Sequence, residues 1–400
     1  MLDKNKLITV CFFSFGIFPI LPFKLKGIPV FLLLVIAIWI LFNKKVKKFP
    51  LKLFLIFSSL FFINILSLLN TFSFPVKKIE TILSLVLVPI GFFMIYEFIS
   101  RKHKLFFTKT YLFSTFILAI SHLFYYFIIG LFNDNSLKVN SFRKAVTEIP
   151  ILNNHPIYVS VFLSIALLFS FYFFKKENKK IKLILIFFCI LFFIDLFLIS
   201  SKGVLVALFF ALIFYLFISI KKRNIRLIVL TVFISSFILS IFYIPTLERR
   251  FRELKIKSTY HKIQPNNSSS IRIGIYKCAF KTIMEKPLFG YGFGTSPQKK
   301  CYKTLSHHLF LKNYNTHNQY LGYALNAGVF GAITLLFFIF FILRASWISK
   351  DYLHVSIIIL FAIIMLTENI LERHSGLILF IFIVNLFFIT NQKRNYDNRF

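Results

Sequence analysis

Residues 175–203 read KKENKKIKLILIFFCILFFIDLFLISSKG, and this stretch decides the fold. Five lysines in 175–182 precede an apolar run over 183–199 whose one charged residue is Asp195. Ser200-Ser201-Lys202-Gly203 then leads directly into a second apolar run. An α-helix needs roughly 17–25 apolar residues to cross the hydrocarbon layer. Lipid offers no partners to backbone N–H and C=O groups, so spanning segments are helices or closed barrels. Runs without period-2 alternation specify helices.

The same alternation fills the chain, which is 58% hydrophobic over 400 residues, well above a soluble domain of that size. Twelve spans are expected, at 7–22, 28–42, 51–70, 79–99, 110–132, 156–174, 181–199, 203–220, 225–244, 318–343, 353–370 and 374–390. The predicted fold class is an all-α integral membrane bundle, one polytopic domain over 1–400, with one large loop at 245–317. Lys4 and Lys6 precede an apolar run that lacks a small-residue cleavage site, so it reads as a first span rather than a cleaved signal.

The net charge of +34 follows this layout and does not indicate nucleic acid. Of the 48 Lys and Arg, 25 fall in the termini and one alternate set of connections, and 9 fall in the short connections of the other set. The positive-inside rule therefore places both termini in the cytoplasm. The remaining 14 lie in 245–317, and long loops translocate largely regardless of charge. This topology gathers Arg143, His155, Lys202, Arg272, His317 and Glu372 on the outer side.

Within the long loop, apolar residues at helical spacing predict a helix over 271–286, capped by Ser270 and ended by Pro287. Arg272 then falls in its first turn, where free N–H groups and a planar guanidinium suit an anion; the alternative is an arginine reaching for lipid headgroups. Lys202 sits one or two turns above Asp195, which invites an ion pair; otherwise it meets lipid phosphates. Asp195 itself is costly inside a span and calls for a partner or cavity. His317 either takes a proton from a hydroxyl or is an interfacial hydrogen-bonding residue. His155 and Tyr158 start a span from the outer side, where amphipathic rings also serve as anchors. Glu368, Glu372, Arg373 and His374 form either an ion-pair knot or the wall of a site. Gly290-x-Gly292-x-Gly294 reads as a flexible turn. Cys278 and Cys301 can pair if the loop is extracytoplasmic, although two cysteines define no framework. The spacing of His307, His308 and His317 fits no zinc pattern, so no metal and no cofactor is expected.

The order Arg272 … Glu285-Lys286-Pro287-Leu288-Phe289-Gly290-Tyr291-Gly292-Phe293-Gly294, then His317-Asn318-Gln319, then Gly328-x-x-Gly331, resembles the O-antigen ligase and polymerase superfamily of bacterial envelope glycosyltransferases. Ser201-Lys202-Gly203 is similar to that family's Ser-Arg-Gly motif. The resemblance covers about residues 140–390. It implies a metal-independent, inverting transfer at the periplasmic face of the inner membrane. The glycan would pass from undecaprenyl diphosphate to a hydroxyl on lipid A–core or on another glycan. By motif, His317 is the base, and Arg272 and Lys202 hold the diphosphate. The family's arginine is Lys202 here, which gives charge without the two-pronged contact, so Arg143 is expected to share the task. His155, Tyr158, Asn318, Glu368, Glu372 and Asp195 are supporting candidates.

Two rival readings stand beside the ligase. A polysaccharide polymerase shares these motifs. A lipid or glycan transporter would rely on polar groups within spans, here Asp195 and His122.

Overall fold

A computed structural model describes residues 4–43, 49–71, 75–132, 139–243, 245–252, 263–265 and 267–397. Lys44, Lys45, Lys47 and Lys48 of the first basic connection, and 253–262 of the long loop, lie outside the described residues. Every described element is an α- or 3-10 helix.

Eight helices are long and apolar enough to cross a membrane: Phe23–Asn43, Arg101–Ile129, Pro156–Phe174, Lys179–Ile199, Lys202–Ser219, Arg223–Tyr243, Gln319–Ile348 and His374–Lys393. A ninth candidate, Leu51–Phe57 with Ser59–Asn70, is bent by 60° at Ser58. The other three expected spans fall short. Lys4–Gly16 and Tyr352–Ile364 have 13 residues each, or about 20 Å at 1.5 Å per residue, against about 30 Å of hydrocarbon. The third divides at Leu83 into Val76–Ile82 and Ser84–Met94, the latter with Pro89 inside it. Apolar content alone does not reveal where a run is interrupted; by length and composition the described residues hold eight spans, or nine with the bent pair, against the twelve expected.

The buried core runs from Ile8 to Ile389, and phenylalanine fills much of it. Phe15 and Phe382 stack at 3.7 Å, and Phe57 meets Phe388 at 4.8 Å. The last helix, His374–Asp397, is buried throughout Leu377–Ile389 and forms the central post. By contrast, Arg223–Tyr243 buries no residue and stands at the periphery.

Alternate connections sort to opposite ends. One end joins residues from 97–105, 172–176, 215–219, 350–353 and 390–393 around a single cavity. The first and last described helices reach that end: Lys4 lies 4.8 Å over the Phe98 ring, and Lys393 Nζ donates to the carbonyls of Glu97 and Ile99 at 2.7 Å. The other end gathers segments near 78, 155, 202, 272, 317 and 368.

Among the described residues between 243 and 319 are the helices Pro245–Arg252, Ser268–Glu285, Lys299–Leu305 and His307–Lys312. Ile275, Cys278, Tyr302 and Leu309 form its own small core, stapled by a Cys278–Cys301 disulfide. The glycine run is not a loose turn. It docks along a break in helix Gln319–Ile348, where Ala327 and Gly328 leave helical geometry. Tyr291 N–H donates to Leu325 O at 2.8 Å, Gly292 N–H to Asn326 O at 2.9 Å, and Val329 N–H to Pro287 O at 2.8 Å. The docked arm thus takes up carbonyls that the break releases.

Candidate functional site

Four segments converge at the loop-bearing end. Ser200 takes a left-handed conformation (φ 52°), ending helix Lys179–Ile199 so sharply that Lys202–Ser219 starts two residues later. Gly203 packs on Thr367, where a β-carbon would come within 2.4 Å of Thr367 Oγ1. The absence of a side chain lets the Lys202 turn press against the 366–369 segment.

Helix Ser268–Glu285 is capped by Asn267, whose Oδ1 accepts from Ser269 N (2.9 Å) and Ser270 N (3.1 Å). The expected cap, Ser270, lies inside the helix, so Arg272 sits beyond the first turn and is not a helix-terminus anion ligand. Lys202 Nζ donates to Ser269 Oγ at 3.0 Å. Just beyond, Arg272 Nη2 pairs with Glu368 Oε1. The other oxygen, Glu368 Oε2, lies 3.3 Å from His317 Nδ1. One carboxylate therefore bridges the arginine and the histidine.

His317 holds a left-handed φ of 44°, which non-glycine residues seldom adopt. Its N–H donates to Asn315 Oδ1 at 3.3 Å, and its carbonyl accepts from Tyr276 OH at 3.2 Å. Tyr276 lies one turn beyond Arg272 on the same helix and also donates to Leu366 O at 3.0 Å. Burial raises this phenol above its ordinary value, outweighing the nearby Arg272 charge, so it remains a donor. Asn318 caps helix Gln319–Ile348 through Leu321 N at 3.0 Å.

Cavities lie on both sides of this bridge. A small one is lined by Arg143, Lys202, Arg272, Ser201, Ser268 and Glu368. Past Glu368, a cavity of about 480 Å³ is lined by His155, Tyr158, Tyr314, His317 and Arg373 among others. A third, of about 520 Å³, holds Gln298, Asn326 and Glu372, and shares Asn315, Asn369 and Arg373 with the second. The side chains of Arg272, Glu368 and His317 are 24%, 15% and 28% exposed, sheltered yet within reach of a ligand.

The electrostatics suit proton transfer. Burial pushes the Glu368 carboxyl up, but the His317 hydrogen bond and the Arg272 charge outweigh it and hold it below its ordinary value. An imidazole whose Nδ1–H points at a carboxylate presents Nε2 as an acceptor. Among the described residues, no hydrogen bond engages His317 Nε2. His155 is held below its ordinary value, mainly by burial, with Arg143, Arg373 and His317 adding to it and Glu368 opposing. Its Nδ1 accepts weakly from Ile157 N at 3.4 Å.

Most expected site residues therefore meet, with two departures. Asp195 does not pair with Lys202. It lies 3.1 Å from His122 Nδ1, both side chains wholly buried in the bundle. Glu372 is separate from the bridge: Asn369 Nδ2 donates to it at 2.5 Å and Asn315 Nδ2 at 3.4 Å. Sequence reasoning missed the linking role of Glu368 and the tether through Tyr276. It also missed Lys26, wholly buried and donating to Asn154 Oδ1 (2.5 Å) and Ser375 Oγ (3.2 Å), two residues that line the His317 cavity. Nothing local in the sequence distinguishes that lysine from its neighbour Lys24.

Residues 185–336 match the O-antigen ligase family. That stretch carries Asp195, Lys202, Arg272, the docked glycine arm and His317, whereas Arg143, His155, Tyr158, Glu368 and Glu372 lie outside it. No curated protein matches the chain. The matched stretch, about two fifths of the chain, supports the resemblance to the O-antigen ligase/polymerase superfamily drawn from the motifs.

Proposed function

We propose that this protein is an O-antigen ligase-type glycosyltransferase. It takes a glycan from undecaprenyl diphosphate and joins it to an acceptor hydroxyl of lipid A–core, at the periplasmic face of the inner membrane. The observation that carries the reading is the Glu368 carboxylate shared between His317 and Arg272, with a cationic cavity on one side and a larger polar cavity on the other.

In this mechanism His317 Nε2 removes the proton of the acceptor hydroxyl, and the oxygen attacks the anomeric carbon. The bond from that carbon to the diphosphate oxygen breaks, and its electron pair leaves with the diphosphate. Arg272, Lys202 and Arg143 meet the growing charge, which preorganised cations do most effectively in a sheltered site. Glu368 fixes the imidazole tautomer and stabilises the imidazolium that forms. Attack opposite the leaving group inverts the anomeric centre. The cations take the place of a metal, so none is required.

The test is transfer by purified protein from lipid-linked glycan to defined acceptors with chelator present. Wild type is expected to transfer to lipid A–core. His317→Ala is expected to lose transfer while still inserting into membranes. Normal transfer by that variant would remove the base assignment. Extension of the lipid-linked glycan itself, with none reaching lipid A–core, would assign polymerase activity instead.

A further inference from the structure

The largest of the cavities described, about 710 Å³, lies at the opposite end of the bundle from His317, and no step of the proposed transfer uses it. Four connections and the end of the last helix build it. Six cations line it, Arg101, Lys104, Lys175, Lys176, Lys350 and Lys393, against two carboxylates, Glu97 and Asp351. One carboxylate is already committed: Asp351 pairs with buried Lys104 and accepts from His354 N at 3.2 Å. Other lysines are steadied by neutral groups. Lys175 Nζ donates to the Ser219 carbonyl, and Lys176 Nζ to Tyr172 OH at 2.6 Å. Among the described residues, no carboxylate lies within ion-pair distance of Arg101, Lys175, Lys176 or Lys350. Lys175 and Lys176 are thus held in place by neutral groups, and with Arg101 and Lys350 they bring four positive charges that no carboxylate among the described residues pairs.

Basic residues at a cytoplasmic end are expected from insertion alone, and they then meet headgroups without a defined seat. A walled cavity is a different arrangement. Its volume falls within the range of ordinary ligand sites. Phe98, Ile99, Leu105 and Leu353 add apolar wall beside the cations. Clustered ammonium groups over an apolar flank suit a phosphate joined to a lipid, and basic pockets between membrane helices on that side hold such headgroups.

We propose that this cavity is a binding site for the phosphate headgroup of an anionic phospholipid. The experiment is native mass spectrometry of the delipidated full chain, titrated with cardiolipin, phosphatidylglycerol, phosphatidylethanolamine and, separately, inorganic pyrophosphate. Cardiolipin or phosphatidylglycerol is expected to bind several-fold more tightly than phosphatidylethanolamine. Arg101→Gln/Lys176→Gln/Lys350→Gln is expected to weaken that binding about tenfold or more, given the attraction of each basic group near an anionic headgroup. Lys221→Gln/Lys222→Gln/Arg223→Gln removes equal charge outside the cavity and is expected to leave binding unchanged. Equal loss in both triple variants would show general surface attraction and overturn the proposal. So would the absence of any preference for anionic lipid in wild type, a result that needs no variant to fold. Pyrophosphate bound in preference to every lipid would assign the cavity to a soluble phosphate and overturn the lipid reading.

Discussion

Glu368 joins two groups that do different work, and its substitution separates them. Glu368→Gln keeps the shape but removes the charge that holds Arg272 and fixes the His317 tautomer. By analogy with orienting carboxylates in other base–carboxylate pairs, kcat should fall about 100-fold or more. KM for the acceptor should change much less. The carboxyl is held below its ordinary 4.5, so its contribution to stability is complete above that value and disappears as pH falls through the lowered one. The difference in melting temperature between wild type and Glu368→Gln should therefore be constant near neutrality and vanish only in strong acid; a difference growing with acidity would refute the assignment. The two cations beside it should respond unequally. Arg272 reaches Glu368 with one nitrogen of its fork, so Arg272→Lys sacrifices the geometry that lets it face the carboxylate and a phosphate together, and activity should fall sharply. Lys202→Arg should be tolerated or raise turnover, because Gly203 already brings that turn against Thr367 and a fork would then meet the same cavity. Initial rates with lipid-linked glycan check both.

At the scale of elements, the break in helix Gln319–Ile348 matters most. Gly328 has φ 63° and ψ −150°, a region essentially reserved for glycine, and a β-carbon there would lie 2.1 Å from Leu288 O. Gly328→Ala should displace the docked arm and cost about 2–4 kcal/mol in detergent unfolding. Gly27→Ala is the control, since a β-carbon there meets nothing within 4 Å. Equal melting of the two variants would show that the arm is not held by this contact. These elements also mark how far the sequence could be read. Long apolar runs carry their own signature, and eight became full-length helices. Their interruptions at Ser58 and Leu83 carry almost none, because a bend changes hydrogen bonding without changing composition. Asn267 was overlooked as a cap because three serines follow it, each a good cap on residue type. The meeting of Lys202, Arg272 and His317 was legible only through motif resemblance. Glu368 bridges two of them from another part of the chain, and no local pattern announces a contact across 96 residues.

On the scale of the whole molecule, the decisive quantity is which end faces outward. Charge places 25 basic residues at the termini and the connections they share, and the cavity that joins 97–105 to 390–393 lies at that same end. The His317 site lies at the other end, with the Cys278–Cys301 disulfide in the segment above it. Disulfides persist in oxidising compartments, so the bond and the charge count independently favour an extracytoplasmic loop. Lys286→Cys and Lys221→Cys, each in a chain lacking Cys11 and Cys189, probe the two ends. A membrane-impermeant thiol reagent should label Lys286→Cys in spheroplasts and Lys221→Cys only after the membrane is opened. Reduction should then make Cys301, the half-buried partner of the disulfide, reactive to the same reagent from outside. The reverse pattern would place His317, Arg272 and Lys202 in the cytosol, away from any periplasmic lipid-linked donor, and the transfer reaction proposed here would have no substrate on its side of the membrane.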